Sequence, residues 1–373
     1  MDAAQKKFAE SAVVSIALVG KGNVGRAFLR QVVGARESLR RCGTDLRVTA
    51  VIGRSGAVTA IDGIGSSALL DIADGGSARR EEKTEPLGWG RITAAIAEAS
   101  SRGQIIVDAT AEDDADAHAA WLERGWHVVT ANKKPLTSAL SQYDAIMRDC
   151  RHGGAQYRYE STVGAGLPVL SALQDMLATG DEILEIRGAV SGTLGFLCSA
   201  CEAGLPFADA VLEAKRLGFT EPDPRQDLSG ADVARKALIL ARLIGQRGEL
   251  ADIETESLVP ADLVDCDTGT FLRRLATSGG EIDARFREAA NRGQSLRYAL
   301  TVRPDAIRVG LEEVPAGAGL GSLKGPENMF IIRTRRYDAN PLIIRGPGAG
   351  AEVTAAGIFS DLLRIIPGIS SRT

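Results

Sequence analysis

Asp232 and Lys236 stand four residues apart in the run Ala231-Asp232-Val233-Ala234-Arg235-Lys236-Ala237-Leu238-Ile239-Leu240-Ala241, whose apolar spacing is helical, so a carboxylate and an ammonium share one face. A lysine held this way can give or take a proton at a reacting oxygen while the acid orients it. Alone, the same pair would be a surface ion pair worth about 0.3–0.5 kcal/mol. The functional reading rests on what precedes it, Gly218-Phe219-Thr220-Glu221-Pro222-Asp223-Pro224-Arg225-Gln226-Asp227-Leu228. Two prolines stiffen a loop presenting three acids and an arginine, a concentration of charge that is costly unless it binds something.

A second set of residues suits a nucleotide. The pattern Gly20-x-Gly22-x-x-Gly25 follows the short apolar run Val13–Val19 and opens the helical run from Arg26 to Val32. The first glycine makes the tight turn and the second lets backbone approach a pyrophosphate. The third lets helix and strand pack closely, with Asn23 and Val24 at the positive end of the helix dipole. The next strand ends at Ile52-Gly53-Arg54-Ser55, where an acid holding a ribose 2′-hydroxyl would be usual. Arg54 instead suits a 2′-phosphate, which favours NADP; otherwise it is a solvated cation and either cofactor is accepted. Thr110, after Asp108, and Lys133, in Thr130-Ala131-Asn132-Lys133-Lys134-Pro135, sit at the carboxyl ends of two further strand-like runs, where ligands bind in open α/β sheets. Pro135 is expected to force Lys134 out of helical geometry.

These positions require strands to hold them. Val13–Val19, Leu46–Ile52, Ile105–Asp108 and His127–Thr130 alternate with helix-like runs such as Ala115–Arg124, which predicts an α/β, Rossmann-type doubly wound parallel sheet. After about Gly153 the texture changes to an α+β pattern on a mixed sheet, with strand-like runs at Ile183–Val190, Tyr298–Val302, Ile307–Glu312, Met329–Thr334 and Leu342–Arg345. Residues 1–150 are expected to form a dinucleotide-binding domain, with 151–345 a second domain. The Gly-rich turn Arg345–Gly350 opens a helix from about Ala351 to Ile366, which returns the chain so that 346–373 complete the first domain. The Gly-Pro-rich stretch Pro315–Asn328 reads as one long loop with a surface or gating role.

The chain has 373 residues, 44 Lys+Arg and 48 Asp+Glu, so there is no general attraction to nucleic acid or anionic lipid. No partner of either kind is expected. The amino-terminal MDAAQKKFAES lacks an apolar signal core, and Val13–Val19 is too short to span a bilayer. Five scattered cysteines fit a reducing compartment, so the expected location is cytoplasmic. Cys198 and Cys201 form a CxxC without a second pair. A structural zinc wants four ligands and only His118, His127 and His152 could supplement them, so the two read as small thiols on a helix. The 42 glycines, about 11% against an ordinary 7%, imply backbone that comes close to other atoms.

Taken together, these segments resemble homoserine dehydrogenase. The resemblance is carried by Gly20–Gly25, Thr130–Pro135, Glu160-Ser161-Thr162-Val163-Gly164-Ala165-Gly166-Leu167-Pro168, Ser191-Gly192-Thr193-Leu194, Gly218–Arg225, Asp232–Lys236 and Gly348-Ala349-Gly350-Ala351-Glu352-Val353-Thr354-Ala355-Ala356-Gly357. They run in the family's order over almost the whole chain. The resemblance implies NAD(P)-dependent interconversion of L-homoserine and L-aspartate 4-semialdehyde, a split Rossmann domain completed by the last helix, and a homodimer formed through the substrate domain. It implies Lys236 as general acid/base, Asp232 as a substrate or orienting contact, Glu221 as the acid meeting the substrate ammonium, and Gly192-Thr193 as the turn whose backbone meets substrate. Lys133 is similar to the family's cofactor-side lysine, and Gly348–Gly350 is a cofactor turn. Glu160, with the carbonyls of Val163, Ala165 and Leu167, is similar to a monovalent-cation site, whose oxygens suit Na⁺.

Gln226 departs from relatives that carry an acid there, which puts the carboxylate duty on Asp227 and leaves its role open. A lysine's ordinary pKa of about 10.4 suits proton donation during reduction, so homoserine oxidation is expected to be favoured at alkaline pH. Since the two domains take up nearly all of the 373 residues, neither a feedback module nor a fused kinase is expected. Two other readings stand beside this one: a related NAD(P)-dependent amino-acid dehydrogenase, and a sensor that binds NADP without turnover. A proton donor such as Lys236 has no purpose in the latter.

Overall fold

β1 (Ala12–Val19) is buried from Val14 onward, as a strand covered on both faces must be. In the computed structural model, which describes residues 12–54, 56–76, 88–99 and 104–370, β1 is central to a sheet. MDAAQKKFAES and Ser55 lie outside the described residues. With β2 (Thr44–Gly53), β3 (Gly56–Thr59), β4 (Gln104–Asp108), β5 (His127–Thr130) and β6 (Tyr157–Arg158), the strand order is β3-β2-β1-β4-β5-β6. This is the 3-2-1-4-5-6 order of a doubly wound dinucleotide-binding sheet. Every pairing is parallel except β2 with β3, a hairpin whose partly exposed edge strand lacks the continuous apolar run by which it could be anticipated.

The helices of this unit are α1 (Asn23–Arg41), α2 (Ser66–Ala73), α3 (Trp89–Ala99), α4 (Ala115–Glu123), α5 (Lys134–Thr137) and α6 (Leu140–Gly153). The chain divides into one unit of Met1–Gly166 with Gly350–Thr373, and another of Leu167–Ala349. The expected boundary after 150 is therefore too early, because β6 pairs in parallel with β5 (Val128 with Tyr157, Val129 with Arg158) and keeps 151–166 with the first sheet. The returning segment begins at Gly350 rather than 346, since the last strand of the other sheet runs to Pro347.

The final helix of the chain, Ala351–Ser370, belongs to the first unit and buries Ala355, Ile358, Leu362, Ile365, Ile366 and Ile369 in one core with Val14, Ile16, Leu18, Phe28, Val48 and Val107. Three of those large side chains, Ile358, Leu362 and Ile365, are wholly sealed, which is worth about 5–9 kcal/mol in burial. Its Phe359 meets Phe28 of α1 edge-on at 6.3 Å.

The second unit holds β7 (Ile183–Ala189), β8 (Glu254–Thr255), β9 (Gln294–Arg303), β10 (Ala306–Pro315), β11 (Glu327–Thr334) and β12 (Leu342–Pro347), in the order β12-β11-β7-β9-β10-β8. Its pairings are antiparallel apart from β10 with β8, which makes the sheet mixed. Its helices are α7 (Val169–Ala178), α8 (Gly192–Glu202), α9 (Phe207–Arg216), α10 (Arg225–Leu228), α11 (Ala231–Leu243), α12 (Thr268–Ser278) and α13 (Gly280–Asn291), so Ala351–Ser370 is α14.

Residues 315–328 are a surface loop only in part: 315–318, Lys324 and Pro326 are exposed, but the middle turns inward. They hold a 3₁₀ turn at Gly319–Ser322, and Leu320 and Leu323 are buried with Ala189, Ala299, Val314 and Met329. Arg297, 1% exposed, anchors the turn by donating to the carbonyls of Gly321 and Leu323 at 3.0 and 3.1 Å while pairing with Glu202 at 2.8 Å. A buried guanidinium needs such partners, and its position on another strand is why local composition did not reveal it. No helix among the described residues is long and apolar enough to cross a membrane.

Candidate active site

In the second unit the helix carrying Lys236 begins at Gly230, which caps α11 at φ +75°. A Cβ there would collide with the Tyr298 hydroxyl, so glycine is required by both backbone and space. α11 buries nearly all of its length, and the Lys236 side chain is only 11% exposed while Asp232 is half exposed. Lys236 Nζ lies 2.8 Å from Asp232 Oδ2 and donates to the Val190 carbonyl at 2.7 Å. Val190 follows β7 and precedes Ser191, whose hydroxyl caps α8 by accepting from Leu194 N at 3.2 Å. Gly192 and Thr193, the first turn of α8, are thereby brought beside Lys236.

Asp227 ties the remaining parts to this turn. Its Oδ1 lies 3.1 Å from the Thr193 hydroxyl, which also donates to the Phe219 carbonyl, and its Oδ2 accepts from Glu221 N at 2.8 Å. These bonds join the acidic loop to α8 through Asp227. Burial raises its carboxyl above the ordinary range against those two hydrogen bonds, and the charge of Asp232 pushes the same way. Glu221 itself projects into solvent. The loop is less charged than its sequence suggests. Asp223 and Arg225 bind each other at 2.7 Å, and Arg225 also donates to the Val264 carbonyl at 2.9 Å and lies over the Phe271 ring. Three of the four charges are engaged within the protein, Asp223 with Arg225 and Asp227 with Thr193 and Glu221 N, and the exposed acid is Glu221.

In the first unit the glycine pattern occupies the point where the strand order reverses, between β1 and β4. Gly20 turns at φ +99°, and a Cβ on it would lie 2.7 Å from the Ala109 carbonyl oxygen. A Cβ on Gly25 would collide with the Gly20 carbonyl. At Gly22, the residue capping α1 ahead of Asn23 and Val24, no atom of the described residues beyond its immediate neighbours in the chain lies within 4 Å of such a Cβ. Two glycines are thus required by packing and the third borders open space at a helix N-terminus, which fits the pyrophosphate of a nicotinamide dinucleotide. Burial lowers the Lys21 ammonium, with the nearby Arg26 adding to it. Arg54 is 89% exposed and lies 3.4 Å from Glu112. Gly350, at φ +121°, opens α14.

Thr110 and Lys133 rest on a buried scaffold. Asp108 accepts from Thr110 N at 2.9 Å and from the Thr130 hydroxyl at 3.0 Å. Asn132 N donates to that hydroxyl at 2.9 Å, and Asn132 Nδ2 donates to the Glu112 carbonyl at 2.8 Å and to Asp114 Oδ1 at 3.1 Å. Lys133 caps α5, and Lys134 opens that helix instead of leaving it, because Pro135 falls in the first turn, where its missing N–H is no loss. His118 Nε2 completes the scaffold, 3.3 Å from Asp108 and 3.2 Å from Asp114. Sequence reasoning had missed Asp114, His118 and Asn132 as parts of this site. The usable signal was the four-residue spacing of Asp114 and His118, the same spacing that marked Asp232 and Lys236.

The expected cation loop carries two left-handed residues in succession, Gly164 at φ +81° and Ala165 at φ +54°. Glu160 is 4% exposed, and Arg364 lies 3.3 Å from its Oε2. Val163 and Ala165 share the first unit with Glu160, and Leu167 opens the second, its carbonyl accepting from Val169 N at 2.8 Å. A carboxylate and peptide carbonyls are the hard oxygen donors that suit a monovalent cation, although Arg364 already partly neutralises the one charged donor. Cys198 and Cys201 are buried in α8, burial raises their thiols to about 11 and 12, and no cluster of three possible metal ligands among the described residues includes them.

Residues 168–363 match the family model of homoserine dehydrogenase, and residues 20–160 match that of the homoserine dehydrogenase NAD binding domain. A homoserine dehydrogenase of Emericella nidulans is 36% identical over 95% of this chain and 99% of its own length. A bifunctional aspartokinase/homoserine dehydrogenase 2, chloroplastic, of Zea mays is 37% identical over 96% of the chain, which spans only 39% of that relative. Among solved structures, a hyperthermophilic archaeal homoserine dehydrogenase in complex with NADPH superposes with a TM-score of 0.73 at 26% identity, covering 95% of this chain and 98% of the other. A Candida auris protein of unknown function superposes at 0.86 and 31% identity, over 96% and 99%.

Proposed function

We propose that this chain, which belongs to the homoserine dehydrogenase family, interconverts L-homoserine and L-aspartate 4-semialdehyde with a nicotinamide cofactor. The observation that carries the proposal is Lys236, a nearly buried ammonium fixed between Asp232 and the Val190 carbonyl next to the Gly192-Thr193 turn. During reduction the aldehyde oxygen becomes an alkoxide, and Lys236 stabilises and protonates it; during oxidation the neutral amine takes the hydroxyl proton. Asp232 orients Lys236 or meets substrate. The exposed carboxylate of Glu221 meets the substrate ammonium. Asp227 holds Glu221 and Thr193 in register, and the backbone of Gly192-Thr193 contacts substrate. The bound cofactor supplies or accepts hydride.

Gly20, Gly22, Asn23, Val24, Gly25, Thr110, Lys133 and Gly350 would hold the dinucleotide, and exposed Arg54 favours NADP over NAD by pairing with a 2′-phosphate. Residues 12–166 with α14 would then be the cofactor domain and Leu167–Ala349 the substrate domain, through which a homodimer forms, in the cytoplasm. Glu160, Val163, Ala165 and Leu167 would bind Na⁺. The test is to mix the protein with L-homoserine and NADP⁺ or NAD⁺, with and without Na⁺, and follow nicotinamide absorbance; sedimentation reports the dimer. Tight NADPH binding without homoserine-dependent turnover would favour a sensor instead.

A further inference from the structure

Two loops meet at the carboxyl edge of the first sheet, one between β4 and α4 and one between β5 and α5, and with α4 they close a ring of polar side chains. From Asp108 Oδ2 the ring runs to the Thr130 hydroxyl (3.0 Å), on to Asn132 N (2.9 Å), and from Asn132 Nδ2 to Asp114 Oδ1 (3.1 Å). Asp114 Oδ2 to His118 Nε2 (3.2 Å) and His118 Nε2 back to Asp108 Oδ2 (3.3 Å) complete it as ion-pair contacts rather than hydrogen bonds. None of these five residues is more than 3% exposed. Two carboxylates that converge away from water cannot both keep their charge without a cation between them. The group between them is one nitrogen of one imidazole. Its other nitrogen, Nδ1, is 2.9 Å from the Tyr157 hydroxyl, and Trp121 lies against the ring at 5.2 Å. The remaining titratable groups that face this ring, from β6, the residues just after it and α6, are the phenols Tyr157, Tyr159 and Tyr143.

We propose that His118 is a positioning residue for nucleotide binding: an imidazolium whose Nε2 faces both Asp108 and Asp114 as their common counter-charge, locking together the loops that carry Thr110 and Lys133. This rests on the reading of the first unit as the nicotinamide-nucleotide domain. A neutral ring with its hydrogen on Nε2 could accept from the Tyr157 hydroxyl at Nδ1, but it would leave two buried carboxylates with no charge to offset them; the protonated ring supplies that charge to both and gives Nδ1–H to the Tyr157 oxygen. Burial would lower the imidazole's pKa, but the close carboxylates of Asp108 and Asp114 push it up to about 9. Burial pushes Asp114 up to about 6 despite His118. Asp108 is held below the ordinary carboxylate range against its burial, because it faces His118 and accepts from Thr110. At neutral pH the ring therefore carries two carboxylates and one imidazolium.

The experiment compares wild type with His118→Gln, Asp114→Asn and the double variant, measuring NADPH binding directly by fluorescence so that no turnover is required. His118→Gln is expected to weaken NADPH by about tenfold, and the double variant to recover most of that loss, since removing one carboxylate removes the need for the bridging charge. KM for homoserine is expected to stay unchanged. ¹⁵N NMR of wild type is expected to report an imidazolium at neutral pH. An unchanged NADPH affinity in His118→Gln, a double variant no better than the single one, or a neutral imidazole at neutral pH would overturn the proposal. So would a stoichiometric divalent metal in the purified protein by elemental mass spectrometry, because the same three donors would then be its ligands. Should His118→Gln fail to fold, the double variant and the wild-type NMR still decide. Absent homoserine turnover in wild type would sink the enzyme reading alone and leave this binding test intact.

Discussion

Lys236→Met separates chemistry from architecture. Methionine keeps the unbranched stem that threads α11 and removes only the ammonium. Its partner Asp232 is half exposed, so the lost ion pair is screened and worth about 0–1 kcal/mol. The thioether fills the buried path of the stem, so Tm should move by no more than about 4 °C. The Val190 carbonyl loses a donor but stays at the mouth of α8. The loss to catalysis is of another size, because a positioned proton donor contributes about 10²–10⁴ in rate, or about 3–5 kcal/mol of barrier. The assay is nicotinamide absorbance in both directions between about pH 7 and 10, with calorimetry on the same samples. Wild-type homoserine oxidation should rise with pH and the variant should be slow and flat. A variant kcat within about tenfold of wild type would refute the role of Lys236, since it falls short of any general-acid contribution. A wild-type oxidation rate that declines steadily over that pH range while the protein stays folded would refute it equally.

The glycines make a paired prediction. Gly22→Ala, at φ −71° with open space around it, should leave stability within about 0.5 kcal/mol while cutting NADPH affinity, whereas Gly25→Ala, driven into the Gly20 carbonyl, should lower stability by about 1–3 kcal/mol; calorimetry and fluorescence titration separate the two. Arg54→Ala removes a charged contact to a 2′-phosphate and should raise KM for NADP⁺ by about 10–100-fold with little change for NAD⁺; equal effects on both would remove Arg54 from cofactor selection. His118 sets a stability window. Its folded pKa of about 9 lies above an unfolded value of about 6.5, so the folded state holds the extra proton between them. The stabilisation is complete below about pH 6.5 and is lost as pH rises through 9, on the order of 3 kcal/mol. Urea midpoints should fall over that window in wild type and not in His118→Gln.

Much of the first sheet was legible because its strands are continuous apolar runs of Val and Ile, as with Ile105–Asp108, and such runs need no partner to be recognised. β3 and β6 were not: β3 is a partly exposed edge strand without a continuous apolar run and β6 has only two residues, so each depends on the neighbour it pairs with. The same distinction divides the site. Gly20, Gly22 and Gly25 declare themselves by spacing within six residues. The ring around His118 joins residues from 108 to 157, and nothing local in Ala115–Glu123 marks a histidine that answers to Asp108. In the acidic loop the composition overstated the ligand-facing charge, because Asp223 spends itself on Arg225 two residues away. The loop from 315 to 328 failed in its middle for a related reason: glycine and proline report backbone freedom, whereas the burial there depends on Arg297 from another strand.

The placement of α14 carries a consequence in time. The apolar face formed by Val14, Leu18 and Phe28 emerges early in synthesis, but the helix that covers it begins only at Ala351, after the whole of Leu167–Ala349. At ribosomal speeds of about 5–20 residues per second, the interval from Gly166 to Gly350 is about 10–40 s. By the end of that interval the second unit has all of its chain and can fold, while the first is still a half-closed sheet with an open hydrophobic flank. A nascent chain therefore spends its most aggregation-prone seconds with the nucleotide-binding unit unfinished, and the twenty residues of α14 act as the closing step of that unit's assembly.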